Sequence, residues 1–273
     1  MSIFQSFENF ESENSKNFIK NGYLVTKCEN LKGLHELRDK TIKILHELTD
    51  DKYNNKDFSL DRAHLSLNKR EVNDIRMAIY SRLNSYDWFR PTYFSFARTI
   101  VEDIIGRELV MQNRINCNIM MPNDEGSNIY PHIDSHSGES PFQCVLWIPL
   151  TDCHDSNSIC ILPPKDNHVA LNNFKRCMKD GGREEFFKKV EDKLIWVNVP
   201  YGYCILFTPT LLHGSVVNKT KETRWSFNTR FKALFTPYYS QEKGLGSFYL
   251  PIRTAPATYF GLKYSPPIGM EGK

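Results

Sequence analysis

At 273 residues, 40% of them hydrophobic and 25% charged, the chain suits one large domain with a sizeable core. Its net charge of +3 is scattered in short pairs such as Lys188-Lys189, which argues against nucleic acid or an anionic membrane surface as partner. No stretch approaches 18 uninterrupted apolar residues, so no membrane span is expected, and 1–14 is polar and acidic with no basic-then-apolar export signal. The seven cysteines lack C-x-x-C spacing. Cys117, Cys144, Cys160 and Cys204 sit in apolar runs and read as buried free thiols, which fits a reducing, cytoplasmic setting.

In chain order, residues 1–110 read as a mainly helical support region. A strand over 22–28 precedes a helix over 32–48, in which Leu34, Leu37, Ile42, Ile44, Leu45 and Leu48 form one apolar stripe. Two further helices are expected over 70–83 and 94–105, the second capped by Gly106. From about residue 111 the texture changes to short β-rich runs: 113–121, 130–136, 142–150, 158–162, 194–199, 203–209, 213–217 and 225–235. Eight such strands are the count of a double-stranded β-helix, or jelly roll. A helical insertion is expected over 167–192 inside this 111–235 core. The extension 236–273, rich in Tyr, Pro and Gly, would wrap the barrel, line a pocket mouth or make a homodimer contact.

The first and last core strands are two-faced. Arg114, Asn116 and Asn118 alternate with Ile115, Cys117 and Ile119; Arg224, Ser226, Asn228 and Arg230 alternate with Trp225, Phe227 and Phe231. The N-terminal helices are available to cover the apolar face. The polar face then turns to solvent or into the barrel, and the inward reading is preferred because His132, Asp134 and His136 alternate in the same manner.

His132 and Asp134 stand two apart, so in extended backbone their side chains leave one face together. With His213 they form two imidazoles and a carboxylate, the donor set that holds non-haem Fe(II) with coordination positions left open. Plainer roles exist for each: an Asx turn for Asp134, a backbone-satisfied strand end for His213. Arg224-Trp225-Ser226 follows His213 by eleven residues, and its guanidinium would serve either an anionic ligand or a structural carboxylate.

This ordered set resembles the Fe(II)/2-oxoglutarate-dependent oxygenases, and within them the phytanoyl-CoA dioxygenase-like branch. Asn21-Gly22-Tyr23-Leu24-Val25, the runs Val145 to Leu150 and Ser158 to Pro163, and His213-Gly214-Ser215 with Asn218 are similar to that branch's segments. The resemblance implies Fe(II) on His132, Asp134 and His213, with 2-oxoglutarate and O2 as co-reactants. It implies Arg224 and Ser226 on the remote carboxylate of the oxoacid, with Trp147 and Asn118 nearby. Arg114, Asn116, His136 and Arg230 are the substrate candidates. Related halogenases replace the metal-binding carboxylate with a small residue, so Asp134 implies a hydroxylating or desaturating type. An inward lining of amides and guanidiniums with few aromatics suggests a small polar or anionic metabolite. A peptide hydroxylase, and a cupin-like isomerase or sugar-binding protein, are the rival readings.

Overall fold

The computed structural model describes residues 12–49, 58–180, 182–238 and 240–269. Helix α1 (Glu13–Asn21) leads into strand β1 (Tyr23–Lys27). Gly22 joins them at φ +72°, where an added Cβ would lie 2.5 Å from Leu211. Only glycine tolerates both the left-handed backbone and that contact. Helix α1 was not anticipated. Its Ser12 cap accepts from the Ser15 N–H at 3.0 Å and sits in what reads as a polar tail.

Helices α2 (Leu31–Leu48) and α3 (Val72–Leu83) lie where the apolar stripes put them. The helix expected over 94–105 is two, α4 (Phe89–Ser95) and α5 (Arg98–Ile105), because Ala97 leaves the helical region at φ −149°, ψ 33°. Gly106 caps α5 with its N–H on Glu102 O.

The strand expected over 113–121 is also two, β2 (Leu109–Gln112) and β3 (Asn116–Met120). Between them the backbone is claimed by outside partners. Asn113 N–H donates to Phe248 O and Ile115 N–H to Asn84 Oδ1, each at 2.8 Å. There follow β4 (Ile129–His132), β5 (Gln143–Pro149) and β6 (Cys160–Ile161). The anticipated insertion is α6 (Pro164–Asp180) with α7 (Gly182–Lys188). Then come β7 (Ile195–Trp196), β8 (Tyr203–Phe207), β9 (His213–Ser215) and β10 (Arg224–Ala233). The C-terminal extension adds β11 (Tyr249–Arg253) and α8 (Pro256–Lys263).

These strands form the two antiparallel sheets of a jelly roll that does not close. The larger runs β1-β8-β5-β10-β2-β11, with β3 also paired to β10, and the smaller runs β4-β9-β6-β7. Strand β10 is the spine: one edge pairs with β5, the other with β3 and then β2. Its outward side chains Trp225, Phe227 and Phe231 are buried under the N-terminal region. Trp225 Nε1 donates to Leu60 O at 2.9 Å, Phe89 meets Phe227 edge-on at 5.8 Å, and Phe94 lies 5.6 Å from Phe231. At roughly 1.5–3 kcal/mol per buried aromatic, this face fixes the strand's register, since a one-residue slip would expose all three. Arg224, Ser226, Asn228 and Arg230 are thereby committed to the interior.

The six described cysteines are free and buried; burial pushes the Cys117 and Cys160 thiols up to about 12, which leaves them unreactive. No helix among the described residues is long and apolar enough to cross a membrane.

Candidate active site

Strands β4 and β9 carry the first two donors. His132 pairs with His213 across their ladder, and the two rings sit 4.6 Å apart. The expected strand 130–136 ends at His132, and Asp134 opens a 3-10 turn, Asp134–Ser137. Ile133 between them is extended (φ −123°, ψ 121°), so the two-residue geometry that aligns His132 with Asp134 survives without a continuous strand. His132 Nε2 lies 3.4 Å and His213 Nε2 3.8 Å from Asp134 Oδ1. One ligand atom from each residue falls within 4.8 Å of the others.

Both imidazoles are set in the same tautomer. His132 Nδ1 donates to Tyr130 O and His213 Nδ1 to Leu211 O, each at 2.9 Å. Carbonyls only accept, so each Nε2 presents a lone pair toward Asp134. Burial lowers His213 to about 4, against the opposing pull of the Asp134 charge; the ring is neutral at pH 7, as a metal ligand must be. Burial alone would raise Asp134. His132, the Arg230 guanidinium and His213 outweigh it and hold the carboxyl well below the ordinary carboxylate range. Three lone-pair donors converging on one point fit a divalent cation.

The glycine after His213 is what lets the two strands approach. A Cβ at Gly214 would lie 2.5 Å from Ile129 O and 2.7 Å from Pro131 N, both rigid backbone. Gly214→Ala is expected to push β4 from β9, costing about 1–3 kcal/mol. It should weaken Ni(II) or Fe(II) binding at least tenfold, measured by metal titration beside a melting curve. Unchanged metal affinity would mean that this approach does not set the site.

Behind the triad, Arg224 is 2% exposed. Its Nη1 donates to Asn157 O at 3.1 Å and Ser158 O at 3.2 Å, and its Nη2 to Asn118 Oδ1 at 2.7 Å. Its Nε and the neighbouring Ser226 Oγ are buried without a partner. No carboxylate pairs with Arg224 among the described residues, so the structural ion pair is absent, and burial lowers its pKa. A buried cation with spare donors and no counter-charge fits the carboxylate of an oxoacid. Trp147 sits 5.7 Å from this guanidinium.

The triad and Arg224 line one cavity of about 290 Å³. Asn116, Asn118 and Arg230 reach it from β3 and β10, with Asn116 Nδ2 donating to Asn228 Oδ1 at 3.0 Å. The rest of the lining is apolar: Val145 and Trp147 on β5, directly beside Arg230 and Asn228 of β10, with Phe207 on β8 and Ile159, so the amide-and-guanidinium lining expected from sequence describes only part of it.

Two of the four substrate candidates lie away from the cavity, and a third is already paired. Arg114 lies in the break before β3, exposed and 6.0 Å from the Tyr80 ring. His136 leaves on the 3-10 turn, exposed and against Phe174 at 5.0 Å. Arg230 lines the cavity but is committed to Asp134 Oδ2, through Nη2 at 2.8 Å and Nε at 3.1 Å. Sequence reading missed Glu139, which accepts from Lys243 Nζ at 2.8 Å and Tyr249 OH at 3.1 Å beside Arg230. It also missed Arg76, which lines the cavity from α3. Asn218 organises the turn between β9 and β10, accepting from Thr220 N–H at 2.9 Å.

The family model of phytanoyl-CoA dioxygenase (PhyH) matches residues 18–226. No curated protein matches the sequence. Among solved structures, the non-heme monooxygenase ThoJ in complex with nickel is similar at 14% identity, over 89% of this chain and 84% of that one, with a TM-score of 0.58. EctD from S. alaskensis, with 2-oxoglutarate and 5-hydroxyectoine, is 16% identical over 87% and 82%, at 0.53. HygX from Streptomyces hygroscopicus, with nickel and 2-oxoglutarate bound, is 13% identical over 84% and 90%, at 0.52.

Proposed function

This chain belongs to the phytanoyl-CoA dioxygenase family and is an Fe(II)- and 2-oxoglutarate-dependent oxygenase; from that premise we propose that it hydroxylates a small polar metabolite. In this reading His132, Asp134 and His213 hold the iron, and Arg224 with Asn118 and Ser226 holds the remote carboxylate of 2-oxoglutarate. The observation that carries it is the enclosure of the triad and an uncompensated buried guanidinium in a single cavity of about 290 Å³. That space, which shares lining residues with a second of about 330 Å³, supports a small molecule beside the cosubstrate over a folded peptide loop. EctD, similar in fold, was solved with the small metabolite 5-hydroxyectoine.

Bound iron and 2-oxoglutarate with O2 would supply the oxidant for an unactivated C–H bond, yielding hydroxylated product, succinate and CO2. The protein's own groups do the rest. The carbonyls of Tyr130 and Leu211 fix both imidazole tautomers, and Arg230 keeps Asp134 Oδ2 occupied so that Oδ1 faces the histidines. Val145, Ile159 and Phe207 give the reacting centre an apolar side that disfavours water there. Screening small metabolites against peptides for succinate release tests the reading. Turnover with small polar molecules is the expected result, and turnover with peptides alone would overturn it.

A further inference from the structure

The two sheets leave a slot. Among the described residues β3 pairs only with β10, and β4 only with β9, so each has an edge without a strand partner, and the two strands line one space between them. A second space of about 330 Å³ fills this slot and shares Asn118, Ile129 and Arg76 with the active-site cavity. The 290 Å³ cavity must already accept 2-oxoglutarate, so a substrate of even modest size extends into the slot.

Arg76 stands at that junction. It reaches from α3 to the free edge of β3, where Nη1 donates to Cys117 O at 3.2 Å while Nη2 donates to Asn73 Oδ1 at 2.8 Å. Three guanidiniums line the cavity. Arg230 is paired with Asp134, Arg224 is buried at the oxoacid end, and Arg76 has no acidic partner among the described residues. Lys69 adds a second cation on the slot's wall, its Nζ on Asn123 O at 2.6 Å, and the wall's one acidic residue among those described, Asp124, accepts from Gly126 N–H at 3.1 Å. Asn128, also in the slot, has a buried Oδ1 that accepts from nothing, which is an opening for a hydroxyl donor.

We propose that Arg76, in the slot between β3 and β4, binds the anionic group, carboxylate or phosphate, of a hydroxylated substrate whose reacting carbon lies over the metal triad. A guanidinium half-buried between two connected cavities, with only neutral acceptors, is a recognition group for a planar or tetrahedral oxyanion. Were Arg76 merely a tie between α3 and β3, the bond to Cys117 O would be its whole contribution.

The inference rests on the oxygenase reading of the same site, and one titration separates them. The anaerobic Fe(II)–2-oxoglutarate protein is titrated with glucose, glucose 6-phosphate and glucuronate, following the weak visible charge-transfer absorption of the loaded site. One or both anions are expected to perturb it with saturation, glucose at least tenfold more weakly; the preferred anion tells phosphate from carboxylate. Arg76→Ala should weaken the preferred anion at least tenfold with 2-oxoglutarate affinity unchanged, and Arg76→Lys should recover part of the loss. Arg76→Gln, which keeps a donor for Cys117 O, should behave as the alanine variant while melting like the parent. Glucose binding as well as the anions, no anion binding up to about 10 mM, or an Arg76→Gln protein that binds anion normally would each overturn the proposal. A loaded protein with no visible band would overturn the oxygenase reading of the site as well.

Discussion

Arg224→Met is expected to weaken 2-oxoglutarate binding by roughly 100- to 1000-fold while changing Fe(II) affinity by no more than a few-fold. Truncating one partner of a buried, hydrogen-bonded charge pair costs about 2–5 kcal/mol, and each 1.4 kcal/mol is tenfold. The loss should be selective because no atom of Arg224 touches the triad. Its bonds run to Asn157, Ser158 and Asn118. Burial disfavours this cation, and an arriving dianion would supply the missing counter-charge, so cosubstrate should also stabilise the fold. At a hundredfold excess over Kd that gain is about 2.7 kcal/mol, roughly 5–10 °C in melting temperature for a chain of this size. The parent should show the shift and Arg224→Met should not. Equal loss of iron and 2-oxoglutarate binding in titrations would make Arg224 a structural residue.

Patterning made part of this site legible and left part hidden. The alternation of Trp225, Phe227 and Phe231 with Arg224, Ser226, Asn228 and Arg230 is a local property of one strand, so its inward and outward faces could be read directly. His132 and Asp134 could be paired because two-residue spacing needs only an extended Ile133, which holds even though the strand stops at His132. Extending the same alternation to His136 failed, since the 3-10 turn rotates that side chain out. Arg114 failed for a related reason: Asn84 and Phe248 take the backbone on either side of it, and partners so remote leave no mark on the local pattern. Arg76 was invisible because a lone arginine on an amphipathic helix looks like its solvated face. Only the free edge of β3, a fact of topology, turns it toward the cavity. The role of Glu139 depends on Tyr249 and Lys243 from the C-terminal extension, over a hundred residues away.

That extension bears on the second large effect. Arg230 lies between two buried carboxylates: it bonds Asp134 Oδ2 through two nitrogens, and its Nε is 3.7 Å from Glu139 Oε1. Lys243 and Tyr249 close the far side of Glu139, with Tyr249 OH also on Gln143 Oε1 at 2.6 Å. Burial opposes the charge on Arg230, but Asp134 and Glu139 overcome it and raise its pKa. Arg230→Met removes the guanidinium bonded to Asp134 and leaves that buried carboxylate beside two imidazole lone pairs. Breaking a buried pair from one side costs about 3–5 kcal/mol, so the metal-free protein is expected to melt roughly 10 °C lower. Without Arg230 on Oδ2, nothing holds Asp134 Oδ1 turned toward the two histidines that would share the metal with it. Iron affinity should fall about 10- to 100-fold, the usual cost of losing a partner that orients a ligand, and turnover should fall further than saturating iron can restore. Arg230→Lys keeps the charge but not the two-nitrogen grip, and should recover stability more than activity. A variant in which added iron restores full turnover would show that Arg230 neutralises Asp134 without orienting it.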